Sequence, residues 1–581
     1  MIEQMTKYSF VLLSADKEEF LEKLQGLGVV DITRSTKPVD STSLGMLDRI
    51  SGIKSEISDI EKGSDAHLTG LLARKSALEK EAANAEIWGT FDAAALADLA
   101  SKGLKISFFS VPSKKFDPAW QEQFALQVIA EQKGLTYLAV VNADGFPLKA
   151  LPTPARSAED VRKEISALEG EIEEYRKTLS GRLSEVPALR ERIAKLTSEL
   201  DRYLAGVKAE SAAEDALCCF EGFAPATCKD QVEDALESAE AYYWAEPATK
   251  EDNPPIKLRN GRFSKLFEGI TAMYGMPVYD EFDPTPILAV FFMLFFALCM
   301  GDAGYGIILM IFGVAVNKKW VNIQMFSKIG TLISVLGVAT FIVGLLLGTF
   351  FGIDLTTAAW VPDGLKKYML TGEVAGYDVK MVLALLIGVL HICLAMIVKS
   401  VGYVKRFGLK NNLSTLGWTL LVVGIVIVAA VAMLKLVPMD IAKWIVIGIA
   451  GVSALGIFIF NKPGRNPLLN IGSGLWDTYQ MVTGLLGDVL SYIRLYALGL
   501  AGGMLGGAFN DLAAMVGGEN PTWQWLFVVL ILLFGHVLNI LMSCLGAFVH
   551  PLRLTFVEYF KNSGYEGKGM TYNPLKKITN K

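Results

Sequence analysis

The feature that most constrains this chain is where its charge is missing. Between residues 284 and 550 lie only 25 of the 115 charged side chains, scattered through long apolar runs, while the rest crowd into the first 280 residues and a short tail. A run of about 20 apolar residues crosses a bilayer as a helix, because each backbone polar group then finds its partner inside the segment. The chain therefore divides into a soluble part, 1–280, and a membrane part, 281–581, in contact with membrane lipids. Its net charge of −5 says nothing about nucleic acid, and no nucleic acid partner is expected.

Eight spans are expected, near 286–300, 303–317, 328–352, 379–400, 413–434, 441–460, 475–516 and 522–560. Thr285 is placed to cap the first and Pro286 to fill its first helical position. The first two are short, joined at Gly301-Asp302, and read as a helical hairpin shielded by protein, with Asp302 capping the second helix. The last two exceed about 20 residues, so they tilt steeply or protrude. With the N-terminal part cytoplasmic, 14 Lys and Arg fall in inner loops and the tail, Lys328, Lys462, Arg465 and Lys581 among them, against 4 or 5 outside. Eight spans with both termini cytoplasmic satisfy that bias.

In the soluble part, 5–13 and 28–33 read as strands around a helix at 16–26, and 217–247 repeats that order. The two halves, 1–35 and 215–250, are expected to form one proximal α/β lobe. Leu47, Ile50, Ile53, Ile57 and Ile60 recur at spacings of three and four, as do Val161, Ile165, Leu168, Ile172, Tyr175, Leu179 and Leu183. Such seams predict an antiparallel coiled-coil arm from 44–85 and 157–213, with a distal α/β lobe at 86–150 carrying strands at 104–111 and 135–141. The expected fold class is thus a polytopic α-helical membrane domain preceded by α/β lobes joined by a coiled-coil arm. That arm reads either as a plain spacer or as a docking platform.

Six cysteines without CxxC spacing read as small packing residues in a reducing compartment. The first 30 residues show no apolar stretch bounded by a cleavage site, so no secretory signal is expected. No Gly-x-x-x-x-Gly-Lys-Ser/Thr loop occurs, so no ATP site of that kind, and no cofactor or metal site, is expected.

An ionisable residue inside a span costs about 2.5–3.5 kcal/mol at the membrane centre, which makes each one a functional candidate. The seventh span holds Asp488 and Arg494; the eighth holds His536, His550, Arg553 and Glu558. Gly487, Ser491, Ala497 and Ala501 lie at helical spacing around Arg494, and Gly499, Gly502 and Gly503 extend a small-residue surface that would admit another helix. The ordinary alternatives are tight packing for the glycines, a structural pair of Arg494 with Asp488 or Asp477, and snorkelling for Arg553. Pro551, between His550 and Arg553, predicts a local kink. His391 and His536 read as packed or hydrogen-bonded.

Three stretches carry a resemblance: PVYDEFDPTPILAVFFMLFFALCMGDAGYG at 277–306, LGDVLSYIRLYALGLAGG at 486–503 and FVHPLRLTFVEYFKNSGYEGKGMTYNPL at 548–575. They resemble the large membrane subunit of V-type and A-type ATPases, called subunit a in eukaryotes and subunit I in prokaryotes, with a length nearer the prokaryotic members. The resemblance implies a stator subunit whose Arg494 and Arg553 face a rotating proteolipid ring, with two offset half-channels carrying protons or sodium ions. It implies peripheral-stalk subunits on the N-terminal arm, a central-stalk cap subunit as a further partner, and a prokaryotic plasma membrane. Ala497, Ala501, Gly499, Gly502 and Gly503 would then face the ring. Asp488 and Glu558 lie on the cytoplasmic side of their arginines and become inner half-channel candidates, with Ser491 beside them; His550 and Ser543 lie outward. Some relatives carry a histidine where this chain has Gly502 and a glutamate where it has Ser543. A stand-alone transporter or channel with a coiled-coil sensor is the alternative, though no repeated membrane halves are visible.

Overall fold

The structure is a computed structural model that describes residues 1–578, apart from 35–39, 89–92, 133, 144–145, 152–155, 213–215, 240, 321–328, 360, 371, 375, 461–466 and 518–523. Lys328, Lys462, Arg465 and Lys581, counted above for orientation, lie outside the described residues, as do the first residues expected for the third and eighth spans. The chain forms two compact units, one of Met1–Val11, Val29–Asp31 and Glu221–Pro574, the other of Leu12–Gly28, Ile32–Phe220 and Leu575–Lys581.

The second unit contains α1 (Lys17–Leu27), α2 (Ser41–Lys62), α3 (Ala66–Glu86), α4 (Ala158–Gly181) and α5 (Val186–Val207). Leu68, Leu71, Leu78 and Ala82 of α3 bury against Val161, Leu168 and Ile172 of α4. Ile50 of α2 meets Leu200 and Leu204 of α5. The pairs run antiparallel, since Arg162 near the start of α4 reaches Glu86 at the end of α3. Each expected long helix is two helices here. Gly63, at φ 62°, ends α2 in the left-handed conformation, and the Asp65 carboxylate caps α3 by accepting from Leu68 N at 2.8 Å. A 3₁₀ turn, Arg182–Glu185, parts α4 from α5. Farther along, Ile106–Pro112, Leu135–Val141 and Leu126–Gln132 form an antiparallel sheet with Leu135–Val141 in the centre. The strand Leu126–Gln132 was not expected. Its side chains are nowhere fully buried, so it lacks the alternation that would have marked it.

In the first unit Thr6–Val11 pairs antiparallel with Tyr242–Pro247, from Thr6 opposite Pro247 to Val11 opposite Tyr242. The strand expected at 28–33 is reduced to Asp31–Ile32. The unit continues with α6 (Thr285–Met300), α7 (Ala303–Asn317), α8 (Gly330–Leu347), α9 (Val379–Phe407), α10 (Leu413–Met433), α11 (Met439–Ala454), α12 (Pro467–Ser491), α13 (Ile493–Val516) and α14 (Gln524–Arg553). Six helical stretches among the described residues are long and apolar enough to cross a membrane, with α12 and α13 forming one of them; α6 and α7 are apolar but shorter. This is a polytopic helical membrane domain.

Three expectations need correction. Thr285 is the first residue of α6, the N-cap position falls on Pro284, and Asp283 Oδ1 accepts from Thr285 N at 3.0 Å; Pro286 is second in the helix, not first. The span placed at 475–516 begins at Pro467 and breaks at Tyr492. Pro551 lies inside α14, and a π turn, Leu554–Tyr559, directly follows that helix.

Close approach of α7 and α8 depends on glycine. A Cβ on Gly306 would lie 2.5 Å from the backbone of Phe341, and one on Gly337 the same distance from Met310 N. Without water to drive apolar association, such backbone proximity supplies the dispersion contact that holds membrane helices together. Asp302 caps α7 as expected, accepting from Gly304 N at 2.8 Å and Tyr305 N at 3.2 Å. It also accepts from Phe351 N and Gly352 N, at 2.9 and 2.7 Å, so its buried charge is shared among four backbone donors.

Candidate functional site

The candidate residues sit where two helices lose their regularity. At Tyr492 the i−4 pattern lapses: Tyr492 N donates to Val489 O and Leu495 N to Tyr492 O, both at 3.1 Å. Arg494 follows two residues on. The π turn Leu554–Tyr559 carries Glu558, next after Arg553 at the end of α14.

One polar cluster gathers around Asp488 and Glu558. Lys561 pairs with Asp488, Nζ lying 3.3 Å from each carboxylate oxygen. Asn562 donates to Asp488 Oδ2 at 2.8 Å and to the Glu558 carbonyl at 2.7 Å. Glu558 is 2% exposed, with Oε2 unpartnered, and the Ser491 hydroxyl approaches its carboxylate. The structural pairing of Arg494 with Asp488 is therefore not formed; Lys561 and Asn562 hold that carboxylate. The sequence marks Lys561 only as one of the tail charges in the orientation count and gives Asn562 no mark of its own. The signal was available, since both lie three and four residues beyond Glu558 and so share its helix face.

Arg494 is half-buried, and its Nη1 is buried without a hydrogen-bond partner. His550 lies within electrostatic range of both Arg494 and Arg553, while Arg553 itself is exposed. The structure thus brings His550 near both Arg494 and Arg553 and gathers Asp488, Ser491, Glu558, Lys561 and Asn562 into one cluster.

A second polar cluster gathers around Asn539. Its Nδ2 donates to the Tyr305 hydroxyl and to the Gly502 carbonyl, each at 2.8 Å, and Ser543 donates to its Oδ1 at 3.3 Å. Tyr305 Oη lies 2.8 Å from His536 Nδ1, and His536 Nε2 lies 3.1 Å from Asn510 Oδ1. His536 is hydrogen-bonded as expected. Asn539, Tyr305 and Asn510 were missed, because neutral polar residues carry little signal in an apolar run.

The small-residue surface is smaller than the sequence suggested. Ala497 and Ala501 are exposed and a Cβ on Gly503 would meet nothing within 4 Å. Gly499, however, lies against α6, where a Cβ would come 2.7 Å from Leu298 O, and a Cβ on Gly502 would be 3.1 Å from Ser543 Oγ. Those two glycines serve packing within the chain. The open face beside Arg494 consists of Gly487, Leu490, Ala497, Ala501 and Met504. Among the described residues no cluster of His, Cys, Asp or Glu suits a metal ion.

Residues 139–361 and 477–577 match the V-type ATPase 116kDa subunit family, the second stretch covering Asp488 to Asn562. The chain belongs to that family. Among its relatives, the A-type ATP synthase subunit I of Methanocaldococcus jannaschii is 30% identical over 455 residues, 73% of this chain and 64% of that protein. The chain thus spans under two thirds of that relative. The V-type ATP synthase subunit I of Borreliella burgdorferi is 25% identical over 624 residues, covering all of both chains. Among solved structures, the cytoplasmic N-terminal domain of a subunit I aligns with 42% of this chain and 100% of its own, at 17% identity and a TM-score of 0.20.

Proposed function

We propose that this chain is the ion-translocating stator subunit of a rotary V- or A-type ATPase. Family membership supports the assembly; one feature of the site supports the role. Arg494 carries a buried, unpartnered Nη1 on a face otherwise made of small and apolar residues, while the neighbouring Asp488 is held by Lys561 and Asn562. A guanidinium stays protonated and needs an anion. The anion best suited to that face is a carboxylate on a helix of a proteolipid ring.

A ring carboxylate passing Arg494 is held ionised, because the adjacent positive charge favours the charged form. Its proton or sodium ion must therefore leave on one side before the crossing and be replaced on the other after it. Arg494 thereby blocks a direct leak and couples ion flow to rotation, with Arg553 as the second cation of the interface. Glu558, Asp488 and Ser491 line the inner half-channel; Ser543 and His550 lie on the outer path. Ala497, Ala501 and Gly503 form the sliding surface.

In this reading all eight spans, α6 and α7 included, cross or enter a prokaryotic plasma membrane with both termini cytoplasmic. Residues 1–280 form a cytoplasmic coiled-coil arm with a lobe at each end, carrying peripheral-stalk subunits and meeting the central-stalk cap. ATP is hydrolysed or made on other chains. The test is ATP-driven ion uptake into vesicles holding the whole complex, comparing wild type with Arg494→Ala at matched assembly. Loss of uptake with assembly intact is expected; uptake at the wild-type rate overturns the role given to Arg494.

A further inference from the structure

His391 is fully buried and stands between the two irregular turns that carry Arg494 and Glu558. Its Nδ1 lies 2.9 Å from the Tyr492 hydroxyl. One ring face stacks on Tyr559, centroids 4.6 Å apart and planes 6° from parallel, and Phe291 of α6 stacks at 4.2 Å. One turn before it on α9, Gly388 makes room for Tyr492, whose ring a Cβ there would overlap. Tyr492 and Tyr559 are themselves almost wholly buried.

Both tyrosines are neighbours of functional candidates. Tyr492 is the break residue between α12 and α13, two positions before Arg494, and Tyr559 directly follows Glu558 and closes the π turn. A helix interruption frees backbone groups and allows the axis to re-aim, so something outside each helix must decide the direction taken. One imidazole touches both. A charged group displaced by about an ångström loses much of its effect on a reacting partner, so a shared anchor has functional consequence.

We propose that His391 is a positioning residue common to both helices: through Tyr492 it sets Arg494, through Tyr559 it sets Glu558, and it thereby fixes the two relative to each other. This rests on the ion-path reading of Arg494 and Glu558 given above. A leucine or phenylalanine at 391 would fill the space, but only a polar ring can hold the Tyr492 hydroxyl on its edge and an aromatic ring on its face.

The test compares Tyr492→Phe and the paired Tyr492→Phe/His391→Phe with wild type and Arg494→Ala, reading ions moved per ATP in assembled complexes and thermal stability side by side. Removing the hydroxyl should lower ions moved per ATP by about fivefold, the size of one buried hydrogen bond expressed as a ratio. In the paired variant neither partner of the lost hydrogen bond is left unpaired, so stability should recover while coupling stays low. Coupling that rises with stability in the paired variant, or Tyr492→Phe at the wild-type ratio, overturns the proposal. If Arg494→Ala is inactive while Tyr492→Phe is normal, only the anchor fails; if Arg494→Ala itself pumps normally, the ion-path reading fails and the anchor with it. Should Tyr492→Phe not assemble, hydrogen exchange in the purified full chain decides. Faster exchange across both 489–496 and 554–560 supports the shared anchor, and faster exchange in the first segment alone overturns it.

Discussion

Asn562 donates to Oδ2 of Asp488 at 2.8 Å and so ties the segment after the π turn to α12, across 74 residues of sequence. The same amide reaches the Glu558 carbonyl at 2.7 Å, which places two candidate carboxyl residues under one side chain.

Asn562→Ala should therefore destabilise the chain by about 1–3 kcal/mol, since Asp488 is buried and loses its neutral donor. The remaining partner, Lys561, is 58% exposed and, as an exposed cation, compensates little. Thermal unfolding of the purified protein measures the loss, and Lys561→Ala should show a smaller one.

Tyr305→Phe removes the hydroxyl that His536 Nδ1 and Asn539 Nδ2 share, at 2.8 Å each. A loss of about 1–2 kcal/mol is expected, smaller than two separate bonds because Asn539 keeps the Gly502 carbonyl. Unfolding of Tyr305→Phe beside Asn539→Leu checks this, and the pair combined should cost less than their sum.

At the α7–α8 contact, Gly337→Val forces side-chain atoms into the backbone of Met310. Overpacking costs typically about 1–3 kcal/mol, and backbone on both sides leaves little room to relax, so recovery of folded protein should fall sharply. Gly451→Val, on α11 where a Cβ meets nothing within 4 Å, should fold as wild type.

Outside the membrane, hydrogen bonds from the Thr249 hydroxyl and backbone N–H, with the Lys7 ammonium beside them, lower the Asp252 carboxyl to about 2. A carboxyl depressed on folding contributes stability that is fully present above its unfolded value, near 4, and is lost as pH falls toward 2. Because the carboxyl is 22% exposed and so reached by water, the contribution is at most about 1 kcal/mol. Melting wild type and Asp252→Asn between pH 5 and 2 should show the wild type losing its advantage in that window.

Much of this architecture was legible before any coordinate. The charge-poor stretch from 284 to 550 announced the membrane domain, and the spacing of Val161, Leu168 and Ile172 announced the face that α4 buries against α3. Asp302 was legible as a helix cap from its place after Gly301. The interruptions were harder to see: Tyr492 breaks a span whose sequence reads as continuously helical, and Gly63 with Asp65 divides an expected single helix.

What the sequence alone determined were properties that sum over neighbours along the chain: which segments are apolar enough to leave water, which face of a helix is buried, and which ionisable residues must lie among apolar ones. What the tertiary structure decided was partnership. Asp488 belongs to Lys561 and Asn562 and not to Arg494, Gly499 serves α6 and not the open face, and His391 meets Tyr492 and Tyr559. Hydropathy and periodicity are local and additive, whereas a hydrogen bond or a stack depends on distances of a few ångströms between helices far apart in sequence, which only their packing sets.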